Sequence, residues 1–163
     1  MFKYIFVALI SVLLFLNCNQ QTPEQKIQNA LINLLSKSPE DNRKMMEIHN
    51  INISWSIGTI GNNTLAATTI TNNGAHIVFD YRAIEVRREF LEPIIAHELD
   101  HIHDAFLIYG VDNFIKISNE EKDLKWRDRT LEKSAIKQED QTRLYLIENY
   151  PKEFKGMSPT RIL

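Results

Sequence analysis

The chain of 163 residues contains a single cysteine, Cys18. An internal disulfide is therefore excluded, and so is a structural zinc site built from several thiolates. Five glycines, five prolines and no low-complexity run exclude a collagen-like rod, a linker and a disordered tail. A basic excess is missing too: 19 Lys and Arg stand against 21 Asp and Glu, a net charge of −2, so nothing drives the chain toward nucleic acid. Also absent is an apolar run long enough to cross a bilayer. The longest, Tyr4 to Leu16, is broken by Ser11 and spans roughly 20 Å as a helix, against a hydrocarbon core of roughly 30 Å. What is present is a composition 44% apolar, at a length that suits one domain with its own core and is too short for two.

The apolar run has Lys3 before it and Cys18 one residue beyond it, after Asn17, the layout of an export signal. Leu14-Phe15-Leu16-Asn17-Cys18 resembles a bacterial lipobox, with Asn17 where a small residue is usual and Phe15 where Leu is usual. The resemblance implies a signal peptide of residues 1–17, lipidation of Cys18 as the first mature residue, and a lipoprotein anchored to a membrane at the periplasmic face or the cell surface. Residues 18–163 then form one mature domain. Lys3 is the only charged residue removed, so the mature net charge is −3.

Within that domain the pattern reads α, β, α, α, an α+β arrangement without internal repeats. Thr22-Pro23 followed by Gln25 sets a capping box, and Ile27, Leu31, Leu34 and Leu35 fall on one helical face, which predicts a helix to about Ser36. Residues 37–50 are polar and mixed, and read as a connection. From Ile51 to Tyr81 the period changes to two: Ile51, Ile53, Trp55 and Ile57 alternate, and Thr64 to Thr71 is rich in β-branched residues. Asn73-Gly74 predicts a primed turn joining strands 64–71 and 75–80, and the whole region predicts a small antiparallel sheet.

The chemistry lies in the next helix, expected from Leu91-Glu92-Pro93 to Gly110. At 100° per residue Ile95, Leu99, Ile102 and Phe106 share a core face, while His97, His101 and Asp104 share the nearly opposite one. Histidines four apart on a helix can bind one zinc ion, and Glu98, turned about 100° from His97, points beside the metal rather than at it. A carboxylate placed there can take a proton from water. His97-Glu98-Leu99-Asp100-His101 is the His-Glu-x-x-His pattern, and it resembles the zincin metallopeptidases. In that family an antiparallel edge strand beside the helix holds an extended peptide, and Ala75 to Tyr81 is placed to resemble it.

A third protein ligand is needed. The metzincin branch would require histidine at position 107, which is Leu107. His103, about 200° around the wheel from His101, cannot share its face, and reads as a surface or second-layer histidine. A carboxylate from a later helix remains. Asn119-Glu120-Glu121 opens a helical pattern running to about Asn149, with Leu124, Leu131, Ala135, Thr142 and Leu146 as its buried seam and Asp128, Glu132 and Glu139 beside it. Helix geometry leaves all three acids eligible. Leu131-Glu132-Lys133-Ser134-Ala135 resembles the Glu-x-x-Ala helix of small gluzincin-like peptidases, which implies Glu132 as the third ligand and Ala135 as the small contact residue. The same resemblance gives Asp104 the part of an acid that orients neighbouring groups. It covers roughly residues 75–147, and Ile136 departs from it, standing where an acid is commoner.

The resemblance implies a membrane-anchored zinc peptidase: His97, His101 and Glu132 hold Zn²⁺, Glu98 is the general base, and the substrate is a peptide or protein. Tyr109, Tyr145, His76 and Arg143 are the candidate donors to the oxyanion. So small a domain leaves the cleft open or completed by a protein partner. From another class, a non-catalytic lipoprotein could use the same framework to bind a metal or a partner, but such a protein has no use for a base beside the metal.

Overall fold

A computed structural model describes residues 21–61, 64–85 and 91–160. The export signal and Cys18 lie outside the described residues. The architecture is α+β. Helix α1 spans Pro23–Lys37 and α2 spans Pro39–Glu47. Strands β1 (Ile53–Gly58), β2 (Ala66–Thr71) and β3 (Gly74–Asp80) follow, then a short α3 (Tyr81–Glu85). Helix α4 spans Leu91–His103 and runs into a π-helical turn, Asp104–Ile108. Helix α5 (Val111–Glu120), a 3₁₀ turn (Trp126–Asp128) and the long α6 (Thr130–Asn149) complete the order. Among the described residues no helix is long and apolar enough to cross a membrane.

The start of α1 is built as its sequence dictates. Thr22 accepts from the Gln25 backbone N–H, and the Gln25 side chain accepts from the Thr22 N–H, so two otherwise unpaired donors are satisfied at once. Helix α2 corrects the reading of residues 37–50 as a connection. Ser38 caps it and Pro39 opens it, but its buried residues are Asp41 and Lys44. A helix whose inward face is polar has no apolar period to detect.

The sheet is mixed rather than antiparallel, with order β1-β3-β2. Strands β2 and β3 form the expected antiparallel hairpin, whereas β1 lies parallel to β3, with Trp55 opposite Ile77. Strand β3 is therefore central, so Ala75–Tyr81 is not the edge strand expected beside the helix; β2 is the edge that reaches the site. The hairpin pairs Thr71 with Gly74, so Asn72 and Asn73 make the turn and Gly74 begins β3. Gly74 has φ +140°, and a Cβ there would lie 2.1 Å from the carbonyl oxygen of Asn52, which accepts from Ala75 N at 2.9 Å. Glycine serves here for close approach of two backbones rather than for the turn itself.

Ala75, Ile77 and Phe79 turn one face of the sheet to the core, where Ile27, Ala30 and Leu34 of α1 and Ile95, Leu99 and Ile102 of α4 meet them. Each large aliphatic side chain buried this way contributes about 1.5–3 kcal/mol. All thirteen residues of α4 are buried, its polar side included, because α6 packs over that side. The helix expected from Asn119 begins only at Thr130: Asn119 and Glu120 end α5, a helix the pattern did not predict, and a connection with a 3₁₀ turn separates it from α6. Glu121 accepts from both the N–H and the hydroxyl of Thr130 at 2.6 Å, which caps α6 from outside, and Arg129 donates to the carbonyls of Lys122 and Leu124. Leu124, expected in the buried seam, is 48% exposed on this connection. Leu131, Ala135, Thr142 and Leu146 are buried as expected.

Candidate metal centre

Helix α4 stacks His97 and His101 one turn apart, with ring centroids 4.8 Å apart at 84° and the two Nε2 atoms 3.2 Å apart. From α6, facing α4, Glu132 brings Oε2 to 3.3 Å from His97 Nε2 and 3.7 Å from His101 Nε2. These three side chains form a partly buried group able to hold a metal ion. The spacing suits one. A tetrahedral ion with bonds of about 2.0–2.1 Å sets its ligand atoms roughly 3.3 Å apart. Glu132 Oε2 is buried and makes no well-formed hydrogen bond within the protein, an unmet demand that a cation would satisfy.

The charges around these groups favour the ionised carboxylate. Burial raises the Glu132 pKa, but the imidazoles of His101 and His97 outweigh it and hold the carboxyl down at about 2. For His97, burial works against protonation, yet the facing carboxylates of Glu132, Glu139 and Glu98 lift its value to about 9. Two of the three donors therefore meet as an oppositely charged pair.

Glu139 is 0% exposed and sits behind the first histidine, with Oε2 3.3 Å from His97 Nδ1 and Oε1 accepting from Arg143 Nη2 at 2.7 Å. A carboxylate on the far nitrogen of a ligating imidazole orients the ring and makes its other nitrogen more basic. Glu139 was eligible by helix geometry as a ligand, and it lies on the Nδ1 side instead. Asp104, to which the resemblance gave the orienting role, faces other groups. Its carboxyl is pushed up by burial and then by Asp100, and it lies near Ser134 and His103. Asp128 lies on the 3₁₀ turn, exposed, its backbone N–H bonded to Lys125. His103 is buried rather than on the surface, and its Nε2 lies 2.8 Å from Glu47 of α2.

Glu98 stands apart from the donor triangle. Its Oε2 accepts from Thr68 Oγ1 at 2.6 Å, so the edge strand β2 fixes the carboxylate on the wall of the cleft that the histidines line. This cleft has a volume of about 580 Å³ and is lined along one side by Ala66, Ala67 and Thr68. Trp126 on the 3₁₀ turn lies over His97, ring centroids 6.0 Å apart and only 19° from parallel. None of the four expected oxyanion donors lines the cleft. His76 is held between Ser54 and Ser56 at 2.8 and 2.9 Å, Arg143 is engaged with Glu139, and Tyr109 and Tyr145 lie elsewhere.

Thr68 and Trp126 are members of the site that no sequence pattern marks, and Glu139 and Arg143, expected as a possible ligand and a possible oxyanion donor, are instead paired with each other. A signal existed for that pairing: Arg143 stands four residues after Glu139 on one helix, the spacing of an ion pair. No signal in the chain links Thr68 to Glu98, thirty residues away. No family model, curated protein or solved structure matches this chain.

Proposed function

We propose that the protein is a zinc-dependent peptidase on a zincin-like framework, exported and anchored to a membrane through lipidated Cys18. The observation that carries this reading is the placement of Glu98. A site that only binds metal needs His97, His101 and Glu132 and nothing more, yet here a further carboxylate is buried beside them, held by Thr68 and turned to the same cleft.

In this reading His97, His101 and Glu132 would hold the ion. A bound zinc ion supplies a Lewis acid that makes water more acidic and polarises a carbonyl. The Thr68 hydroxyl occupies Glu98 Oε2, which leaves Oε1 to accept the proton of an attacking water and return it to the leaving amine. An extended peptide fits the cleft because β2 pairs with β3 on one side only among the described strands, and its other edge runs along the wall. Addition of a strand to such an edge is a common way of holding a peptide.

The test is Glu98→Gln, which keeps the shape and the bond from Thr68 while removing the proton acceptor. Zinc content by mass spectrometry should stay at the parent level, and hydrolysis of a mixed peptide library should fall by about 10²–10⁴-fold. A zinc-loaded parent that cleaves no peptide of the library, or a Glu98→Gln variant as fast as the parent, defeats the catalytic reading.

A further inference from the structure

Helix α2 grips both helices that carry the metal donors. Lys44 Nζ pairs with the Asp100 carboxylate of α4 and donates to Gln138 Oε1 of α6 at 2.9 Å. Asp100 Oδ2 accepts from Ser134 Oγ of α6 at 2.9 Å. Asp41, also from α2, accepts from Gln138 Nε2 and from Thr142 Oγ1, both at 2.8 Å. Asp100 and Asp41 are 2% and 1% exposed, so these groups are out of water. In the chain Asp100 lies between His97 and His101, and Ser134 lies two residues after Glu132. The clamp thus holds α4 between its two donors and α6 within a turn of the third.

The apolar contact between α4 and α6 does not fix that register equally well. Ala96 and Ala135, fully buried on the two helices, are small, and contact between small apolar groups is non-directional. Charge-assisted hydrogen bonds demand particular distances and angles. Buried ion pairs contribute little net stability compared with apolar replacements of similar volume, and their best-attested use is in fixing one register among several. The three donor atoms lie 3.2–3.7 Å apart, the spacing one tetrahedral ion needs. Attraction between His97 and Glu132 draws those two groups together, but it does not by itself set how α4 and α6 stand along one another.

We propose that the Lys44–Asp100–Ser134 clamp presets the spacing of the three donors, with Asp100 a positioning residue that does not touch the metal. This rests on the metal-binding part of the function proposed above. Its test compares the full-length parent with Lys44→Met/Asp100→Leu, which replaces the pair by apolar groups that keep its branching and length. The double variant should fold cooperatively but bind zinc about 10–100-fold more weakly, as loss of supports around metal ligands does. Its cobalt-substituted form should lose intensity in the visible bands that report tetrahedral geometry. Ser134→Ala, a milder change that leaves the Lys44–Asp100 pair intact, should weaken zinc by about 2–10-fold, the share of one hydrogen bond. It decides the matter should the double variant not fold. Thr22→Ala, which removes the exposed cap of α1, serves as the control: it should lower the melting temperature and leave zinc affinity unchanged.

A folded double variant with the parent's zinc affinity and cobalt spectrum overturns the proposal. So does a Ser134→Ala variant indistinguishable from the parent, or a Thr22→Ala variant that loses zinc as the clamp variants do, which would mark general loosening. A parent that takes up no zinc defeats the metal reading itself, and is thereby told apart from failure of the clamp.

Discussion

Glu139→Gln is the substitution that separates orientation of a ligand from ligation. Gln has the shape of Glu and can keep one bond from Arg143, but it removes the charge facing His97 Nδ1 at 3.3 Å. Two effects follow, and they differ in kind. The first is on the metal: loss of a partner to a ligating imidazole weakens binding by about 10–100-fold, or about 1.4–2.7 kcal/mol. The second is on the fold. Arg143 is 4% exposed and its side chain lies against Glu139 from one turn away. Removing one partner of a buried pair costs about 3–5 kcal/mol, and a neutral acceptor retains about half the strength of a charged one. The net loss is then about 2 kcal/mol, a fall of roughly 4–8 °C in melting temperature for a domain of this size. Competition with a chromophoric chelator measures the first effect and thermal unfolding of the metal-free protein the second. Adding Arg143→Met to Glu139→Gln should restore much of the stability and none of the zinc affinity. If Glu139→Gln binds zinc as tightly as the parent, Glu139 is a structural partner of Arg143 alone and its role toward His97 is refuted.

Other expectations follow from the same geometry. His97→Ala and His101→Ala should each abolish stoichiometric zinc in metal analysis, and Glu132→Ala should weaken it strongly; full zinc retention in Glu132→Ala would move the third ligand to another acid. Asp80 accepts from the guanidinium and backbone of Arg82 and from the backbone N–H of Ile60, and these bonds hold its carboxyl well below the usual range. A carboxyl depressed on folding stabilises the protein above its unfolded value of about 3.9 and loses that contribution as the pH falls below it. Asp80→Asn should therefore flatten the dependence of melting temperature on pH below about pH 4, and parallel acid limbs for variant and parent would count against this. Finally, a lipidated Cys18 predicts partition of the full chain into detergent and its loss in Cys18→Ser; an unmutated protein found in the aqueous phase would remove the anchor.

Local rules made part of this protein legible without coordinates. The capping box at Thr22, the hairpin between Thr71 and Gly74, and the one-turn stacking of His97 and His101 depend on neighbours within four residues, and the sequence determines each of them directly. The separation of Glu98 from the donor triangle follows likewise from the 100° step of a helix. Glu132 was reached by resemblance, since its helix also offers Asp128 and Glu139. Only packing decides among them: the 3₁₀ turn ends before α6 begins and leaves Asp128 outside, while α6 meets α4 so that Glu132 faces the Nε2 atoms and Glu139 the Nδ1 side.

Tertiary structure alone decided the rest. Periodicity detects apolar faces, so α2, which buries Asp41 and Lys44, shows no helical period, although Ser38-Pro39 repeats the start signal of α1. Strand direction was equally hidden, because alternation marks a strand's two faces and is silent on whether β1 runs with or against β3. The connection from Glu121 to Thr130 breaks a continuous helical pattern because a side chain nine residues away supplies the hydrogen bonds that cap α6. Thr68 and Trp126 reach the site by the same kind of long-range contact. Short-range geometry selects the chemistry that His97, Glu98 and His101 can perform, whereas the distances among groups far apart in the chain are set by how helices and sheet pack, and no local pattern encodes them.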